Sequence, residues 1–304
     1  MNITASRSET SVAFVALVVS AVAIGASPIF VRLAEVGPFA SAFWRIALAL
    51  PVLGAWMMWE EKQPREKPAL KGWTAWKTMI PAGLFFAGDL IFWHLSITNT
   101  TVANATLFAN FSPVVVTLGA WLFLKEPITR AFALGLAIAM TGSILLVGSS
   151  YEVNPAYIRG DLFGMVTALF FGSYVLSVRA IRHRVSVAAI MFRSGCITVV
   201  ALLAVALIMG DPLMPQSTAG WMSLLALALI SHVGGQGLLA YALGHVTATM
   251  SSLVILIEPL AAGILGWLIL SEQITWLQGA GALVIMLGIW AARRPTKDPI
   301  DDLG

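Results

Sequence analysis

Ten long apolar runs constrain the fold of this chain more than any other feature. We number them spans 1 to 10; their approximate limits are 11–33, 38–59, 77–97, 101–124, 129–148, 159–180, 186–209, 219–242, 247–270 and 274–292. A helix of about 20 apolar residues crosses the hydrocarbon core of a bilayer, whereas barrel strands are shorter and alternate in polarity. Hydrophobic residues make up 59% of the 304 positions and charged residues 11%, which excludes an ordinary soluble domain. We therefore predict an all-α membrane protein with ten transmembrane helices.

The two halves of the chain resemble each other when the first is shifted by 146 residues. The loop 126–129 then falls on 272–275, and the matched pairs include Thr101 with Thr247, Leu107 with Leu253, Pro113 with Pro259, Trp121 with Trp267, Gly135 with Gly281, Met140 with Met286 and Gly142 with Gly288. We predict two five-helix repeats, residues 1–148 and 149–304. Arg7 before span 1 is also typical of a signal peptide, but span 1 has a counterpart in the second repeat, so we expect it to be retained.

The positive charges predict that the second repeat is inverted in the membrane. Five is an odd number of helices, so the second repeat enters the bilayer in the opposite orientation. With the N-terminus inside, all but three of the 18 Lys and Arg residues fall at the cytoplasmic side, as the positive-inside rule requires. Lys125 and Arg130 are replaced by Ser271 and Trp276, so positive charge is lost where inversion moves the loop outside. We expect both termini to be cytoplasmic.

Several motifs of this sequence resemble a known transporter family. They are the paired helices with Pro113 and Pro259, the loops 125–129 and 271–275, the glycine-rich last span of each half, and Phe43-Trp44-Arg45 near the start of span 2. In these features the chain resembles the EamA family of the drug/metabolite transporter superfamily over nearly its whole length. Within that family it is most similar to the YddG-type exporters of amino acids and related metabolites. The resemblance implies a central cavity lined by spans 1, 3, 4, 6, 8 and 9.

Inverted repeats are the architecture of many secondary transporters, which change access around a site near the membrane midplane. We therefore expect an inner (plasma) membrane carrier that exports small neutral or zwitterionic metabolites, most plausibly amino acids, by alternating access. One alternative is an exporter of lipophilic cationic drugs. A second, from a different class, is an intramembrane enzyme that modifies lipid; our expectation is that the chain is not an enzyme. A small-molecule substrate and membrane lipids are the expected partners.

Glu258 is the acidic side chain nearest the middle of a span, and Pro259 follows it directly. Proline removes a backbone donor, so we expect a helix break that exposes polar backbone here and at Pro113, which follows Ser112. An ionisable residue at this depth normally faces a cavity or a partner. We predict that Glu258 binds a substrate ammonium or carries a proton; the alternative is an ion pair with His or Arg that holds the bundle together.

Polar residues spaced by four mark a matching face in each half. Asp89 and Trp93 share one face of span 3, and His232 and Gln236 share the equivalent face of span 8. One interpretation is a polar cavity wall in which Trp93 offers an apolar or cation–π surface. The other is a hydrogen bond between Asp89 and His232 that joins packed helices.

The remaining candidates are amide and aromatic residues in spans 3, 4 and 6: His94, Asn104, Phe108, Asn110, Phe171 and Tyr174. Either Asn could bind a ligand or form interhelical hydrogen bonds, and His94 could be a core histidine. The resemblance places Phe171 and Tyr174 near the aromatic cavity residues of the YddG-type exporters, with core or lipid packing as the alternative.

Arg45 and Arg193 each lie about seven residues inside a span, a depth from which arginine can reach the interface. We favour an anchor to headgroups or helix-end carbonyls, with recognition of a substrate carboxylate as the alternative. Because nearly all other cations lie at the cytoplasmic edges, strongly anionic cargo is not expected.

The sequence contains no signature of other chemistry. It has no nucleotide-binding glycine loop, no metal-binding His or Cys cluster, and a single cysteine, Cys196. We therefore expect no ATP, no metal and no other cofactor. The net charge of +3 gives no reason to expect nucleic acid binding.

Overall fold

The computed structural model of the chain describes residues 7–63, 72–148, 153–271 and 273–293. Within these ranges every regular element is a helix and no strand forms, which confirms the all-α prediction. Six residues used above for charge or repeat matching lie outside the described residues: Arg65, Lys67, Lys71, Glu272, Arg294 and Lys297.

The described residues form fifteen α-helices joined by short connections. They are α1 Arg7–Gly25, α2 Ser27–Leu33, α3 Pro38–Ala47, α4 Leu50–Glu61, α5 Gly72–Asn99, α6 Val102–Ala109, α7 Ser112–Gly119, α8 Arg130–Gly148, α9 Ile158–Ile181, α10 Val187–Met209, α11 Thr218–Ala226, α12 Gly237–Ala242, α13 Ala248–Ile255, α14 Ile257–Leu270 and α15 Trp276–Ala292. Wider π-helical turns occupy Ala120–Leu124 and Leu227–Gln236, and a 3₁₀ turn occupies Pro155–Tyr157.

Nine helical stretches of the described chain are long and apolar enough to cross a bilayer. They are Ser11–Leu33, Pro38–Glu61, Gly72–Asn99, Ala103–Leu124, Arg130–Gly148, Pro155–Ile181, Val187–Met209, Thr218–Ala242 and Ala248–Leu270, and they coincide with predicted spans 1 to 9. The tenth predicted span is the shorter apolar helix Trp276–Ala292. Its 17 residues extend about 26 Å, against about 30 Å for the hydrocarbon core.

The outer surface of the bundle carries large apolar side chains. Ile208 is 81% exposed and Leu283 68% exposed, and both lie in the middle or last turns of apolar helices. Such a surface would promote aggregation in water but is the expected one in contact with lipid chains. The fold therefore fits a multi-pass membrane protein.

Spans 4 and 9 are interrupted near their centres. Span 4 divides into α6 and α7, with Pro113 in the first turn of α7, and span 9 divides at Leu256 into α13 and α14, with Pro259 in the first turn of α14. Because proline has no amide hydrogen, the carbonyl four residues earlier loses its usual partner. Those carbonyls belong to Ala109 and Ile255, which are themselves 146 residues apart.

Local geometry recurs at the same interval of 146 residues. Thr101 and Thr247 cap α6 and α13, and each hydroxyl accepts a hydrogen bond from the amide three residues later. Lys125 and Ser271 end spans 4 and 9 in the left-handed conformation, with φ of 57° and 56°. A left-handed backbone is uncommon for residues other than glycine.

The first span of each half packs against the opposite half. In span 1, α1 contacts spans 8 and 9, and in span 6, α9 contacts spans 3 and 4. The two halves are thus interleaved, and the space between spans 1, 3, 4, 6, 8 and 9 lies at their shared centre.

The last spans of the two halves, α8 and α15, pack against each other along their length. Gly135 meets the backbone of Gly288, and Gly142 meets that of Gly281. The later residue of α8, Gly142, contacts the earlier residue of α15, Gly281, so the two helices are antiparallel. Small residues at these positions let the backbones approach closely.

Candidate substrate site

A cavity of about 140 Å³ lies inside the bundle, next to the breaks in spans 4 and 9. An engineered protein cavity of about 150 Å³ binds benzene, so this space suits a small molecule. Residues from spans 1, 3, 4, 6, 8 and 9 line it, and span 2 contributes as well. Span 2 was not among the lining spans that the family resemblance implies.

Eight of the thirteen residues predicted as substrate contacts or helix breaks line this cavity: Asp89, Trp93, His94, Asn110, Phe171, Gln236, Glu258 and Pro259. The other five, Pro113, Asn104, Phe108, Tyr174 and His232, are not among the lining residues. The equivalent pairs Ala109 with Ile255 and Ser112 with Glu258 both reach the cavity, each from its own half.

Two acidic side chains face the cavity from opposite halves. Asp89 lies in α5 and is 9% exposed, and Glu258 is the second residue of α14, directly after the break at Leu256. Trp93 follows Asp89 by one helical turn and lines the same wall.

Arg45 also lines the cavity, which contradicts the interpretation as a headgroup anchor. It is 7% exposed, and its guanidinium carbon lies 5.9 Å from the centre of the Phe86 ring. In the described part of the chain, its Nε and Nη2 have no hydrogen-bond partner. The depth of Arg45 within span 2 did not indicate that it faces the cavity. Ser41, one helical turn earlier, also lines the cavity, and two polar residues spaced by four could have indicated a polar face of span 2.

Arg193, which matches Arg45 in the repeat when the shift is 148 residues instead of 146, has a different environment. Its Nη2 lies 3.2 Å from Glu61 Oε1, and the Glu61 side chain is 48% exposed. The two arginines that looked equivalent in the sequence therefore differ, one facing the cavity and one forming an ion pair near the surface.

The proposed hydrogen bond between Asp89 and His232 does not form. His232 stacks on Phe86, with ring centres 5.5 Å apart, and neither of its ring nitrogens has a partner among the described residues. Tyr174 packs on the same Phe86 at 4.7 Å and is 2% exposed. His232 and Tyr174 thus support Phe86, which lines the cavity and which the sequence did not single out.

The two asparagines of span 4 act between helices. Asn104 donates a hydrogen bond of 3.1 Å to Asp161 Oδ1, which also accepts one of 2.8 Å from Thr100. Asn110 donates one of 2.9 Å to Ser143 of span 5 while it lines the cavity. Phe108 packs closely against Gly164 of span 6, where a side chain would collide with it.

Several buried polar atoms at the cavity lack a partner among the described residues: Ser27 Oγ, Arg45 Nε and Nη2, His94 Nε2 and Gln236 Oε1. Nδ1 of His94 lies 2.6 Å from the Leu90 carbonyl, which leaves Nε2 for the cavity. Buried polar groups are normally hydrogen-bonded, so donors and acceptors gathered here suit a polar ligand or ordered water. No group of three or more metal-binding side chains occurs in the described ranges.

The EamA-like transporter family matches this chain in two segments, residues 11–148 and 158–293. The chain belongs to the EamA-like transporter family. The family covers both halves, which confirms the resemblance drawn from the proline helices and loop motifs. The chain is therefore a multi-pass membrane transporter, and an enzymatic activity is correspondingly less expected.

Curated relatives of this EamA protein are transporters as well. The pseudopaline exporter CntI of Pseudomonas aeruginosa is 28% identical over 220 residues, covering 72% of this chain and 75% of that protein. An uncharacterized transporter of Archaeoglobus fulgidus is 25% identical over 272 residues, covering 86% and 90%. The uncharacterized inner membrane transporter YhbE of Escherichia coli is 22% identical over 262 residues, covering 84% and 80%.

A solved crystal structure has the same fold. It superposes with a TM-score of 0.76 over 94% of this chain and 99% of the other, at 19% sequence identity. At that identity the likeness concerns the fold alone.

Proposed function

We propose that this EamA protein exports small neutral or zwitterionic metabolites, most plausibly amino acids or related compounds, across the inner (plasma) membrane. The observation that carries the proposal is a small cavity at the broken spans 4 and 9, where Asp89 and Glu258 lie beside Trp93 and Phe171. Acidic groups suit a substrate ammonium, and the aromatic rings suit its apolar part. The relative named as an exporter supports this direction of transport.

We further propose that the transporter consists of ten spans in two inverted five-helix repeats, residues 1–148 and 149–304. The antiparallel packing of α8 and α15 supports this arrangement, as do the local features repeated after 146 residues and the family match in two segments. In such an architecture the halves exchange inward-open and outward-open shapes around a central site.

Glu126 joins several spans at one end of the bundle. Its carboxylate accepts hydrogen bonds from Ala248 N at 3.1 Å and Thr249 N at 3.3 Å, and it pairs with Arg179 Nε at 3.2 Å. Arg179 also donates to the Leu243 carbonyl at 2.7 Å. These contacts join the ends of spans 4, 6 and 8 to the start of span 9.

We assign this end to the cytoplasmic side, where the N-terminus is predicted to lie. Alternating access then requires the Glu126 contacts to separate while the opposite end of the cavity closes.

A cationic drug is the second candidate cargo, because two acids that line the cavity beside aromatic neighbours also suit a lipophilic cation. Flux measurements on the reconstituted full-length protein separate the candidates. We expect protein-dependent flux of unmodified amino acids in proteoliposomes and none in protein-free vesicles. Flux of cationic drugs alone would favour the second candidate, and chemical change of the lipid would contradict both.

A further inference from the structure

We propose that Arg45 binds a carboxylate of the transported molecule, so that the cargo carries an anionic and a cationic group within one small molecule. This inference rests on the proposed function and names the group that the cavity recognises. It starts from a charged side chain that is buried at the cavity and lacks partners for part of its guanidinium among the described residues.

The unpartnered atoms of Arg45 form one edge of the guanidinium. Nε and Nη2 donate in parallel from the same side of the group, in the fork that matches the two oxygens of a carboxylate. Lysine offers no such fork, because its ammonium is a single point of charge. Arg45 therefore presents a site with the shape as well as the charge for a carboxylate.

The surroundings of Arg45 fix this edge in place. The guanidinium carbon lies over the Phe86 ring, 5.9 Å from its centre. The helix that carries Arg45, α3, is held at its start by Asp211, whose carboxylate accepts a hydrogen bond of 2.9 Å from Ala40 N. Trp44 next to Arg45 donates a hydrogen bond of 2.7 Å to the Leu213 carbonyl.

The charges in the cavity are of both signs. The acidic side chains Asp89 and Glu258 line the same space of about 140 Å³ as Arg45. Arg45 nevertheless keeps two donors unpaired instead of closing onto either acid. A zwitterion that sits between them would satisfy the fork with its carboxylate and the acids with its ammonium.

The competing explanation is that Arg45 only balances the charge of Asp89 and Glu258. In that case its removal would leave two uncompensated acids and would act on a ligand through its net charge, so that a cation would bind more tightly, an anion more weakly, and a zwitterion would change little. Recognition of a carboxylate predicts a selective loss instead, and matched ligands can distinguish the two.

Three probes differ by one charge each: L-valine, isobutylamine (valine without its carboxylate) and isovalerate (valine without its ammonium). Their dissociation constants are measured by calorimetry on the purified full-length protein. We expect the wild type to bind L-valine more tightly than either analogue. Arg45→Gln should raise the Kd for L-valine about tenfold or more without raising that for isobutylamine, and Arg45→Lys should lose most of the same preference.

Arg193→Gln is the matched control, because it removes the repeat counterpart of Arg45 without touching the cavity, and it should bind all three probes as the wild type does. Equal weakening of L-valine and isobutylamine by Arg45→Gln would overturn the inference, as would a wild type that does not prefer L-valine to isobutylamine or binds none of the probes. If Arg45→Gln does not fold, a valine preference retained in Arg45→Lys would overturn it.

The two proposals fail in different ways. Amino-acid flux that does not depend on Arg45 would support the proposed function and contradict the carboxylate site. Binding of isovalerate that depends on Arg45, in a protein that moves no amino acid, would support the carboxylate site and contradict the proposed cargo.

Discussion

Gly142 and Gly281 lie so close that neither position accepts a side chain. A Cβ atom on Gly142 would come within 2.8 Å of the Gly281 carbonyl oxygen, and one on Gly281 within 2.7 Å of the Gly142 carbonyl oxygen. Gly135 and Gly288 repeat the relationship at 2.6 Å in both directions. Since 135 corresponds to 281 and 142 to 288, each contact is the image of the other, as at a two-fold symmetric interface.

Gly281→Ala should therefore destabilise the protein, because the obstructing atoms belong to the backbone of α8 and cannot rotate away. We expect a loss of about 1–3 kcal/mol, seen as a lower unfolding temperature in detergent. Gly279→Ala on the same helix is the control, because a Cβ there meets nothing within 4 Å. Equal stability of the two variants would contradict the close packing of α8 and α15.

Glu258→Gln should impair transport and leave the unfolding temperature nearly unchanged. The substitution keeps the size of the side chain but removes the charge that we assign to a substrate ammonium or a proton. Transport is measured in proteoliposomes, with Glu61→Gln as a control that removes a half-exposed acid outside the cavity. Unaffected transport in Glu258→Gln would mean that Glu258 is neither a cargo site nor a proton site.

Glu126→Gln should weaken the contacts that join span 4 to spans 6 and 9. A charged acceptor for two amides and Arg179 is lost, which we expect to cost about 1–3 kcal/mol of stability. Arg179→Gln should cost less, because the Arg179 side chain is 25% exposed. The double variant should be less destabilised than the sum of the single ones; strict additivity in thermal unfolding would show that the two groups do not interact.

Ile128 and Ile274 test the inversion directly. They are equivalent positions in the two halves, and both are partly exposed, at 38% and 45%. In a Cys196→Ser background, Ile274→Cys should react with an impermeant maleimide added to intact cells, and Ile128→Cys only after permeabilisation. Labelling of both positions from the same side would refute inverted repeats.

The positions of the helices follow from the sequence because each span needs a run of apolar residues and short polar connections end it. Residues 11–33 and 187–209 illustrate this, since the predicted limits agree with the structure to within one residue. The interruptions of spans 4 and 9 also lie where Pro113 and Pro259 remove backbone donors.

The cavity could be predicted only in part. Asp89 and Glu258 were found because a buried acid in a membrane span requires a reason. Arg45 was assigned to the interface because its length permits either location, and only the packing of α3 against neighbouring spans decides between them. His232 and Tyr174 looked like ligand-facing residues, but Phe86 lies between them and the cavity, which depends on the rotation of span 3 and not on residue spacing.

Because spans 1 and 6 are each embedded in the opposite half, the two halves cannot move past each other as separate blocks. Any conformational cycle must carry span 1 along with its neighbours from residues 149–304, and span 6 with those from residues 1–148. A polypeptide cut in the connection near residue 150 should for the same reason stay assembled as two associated fragments.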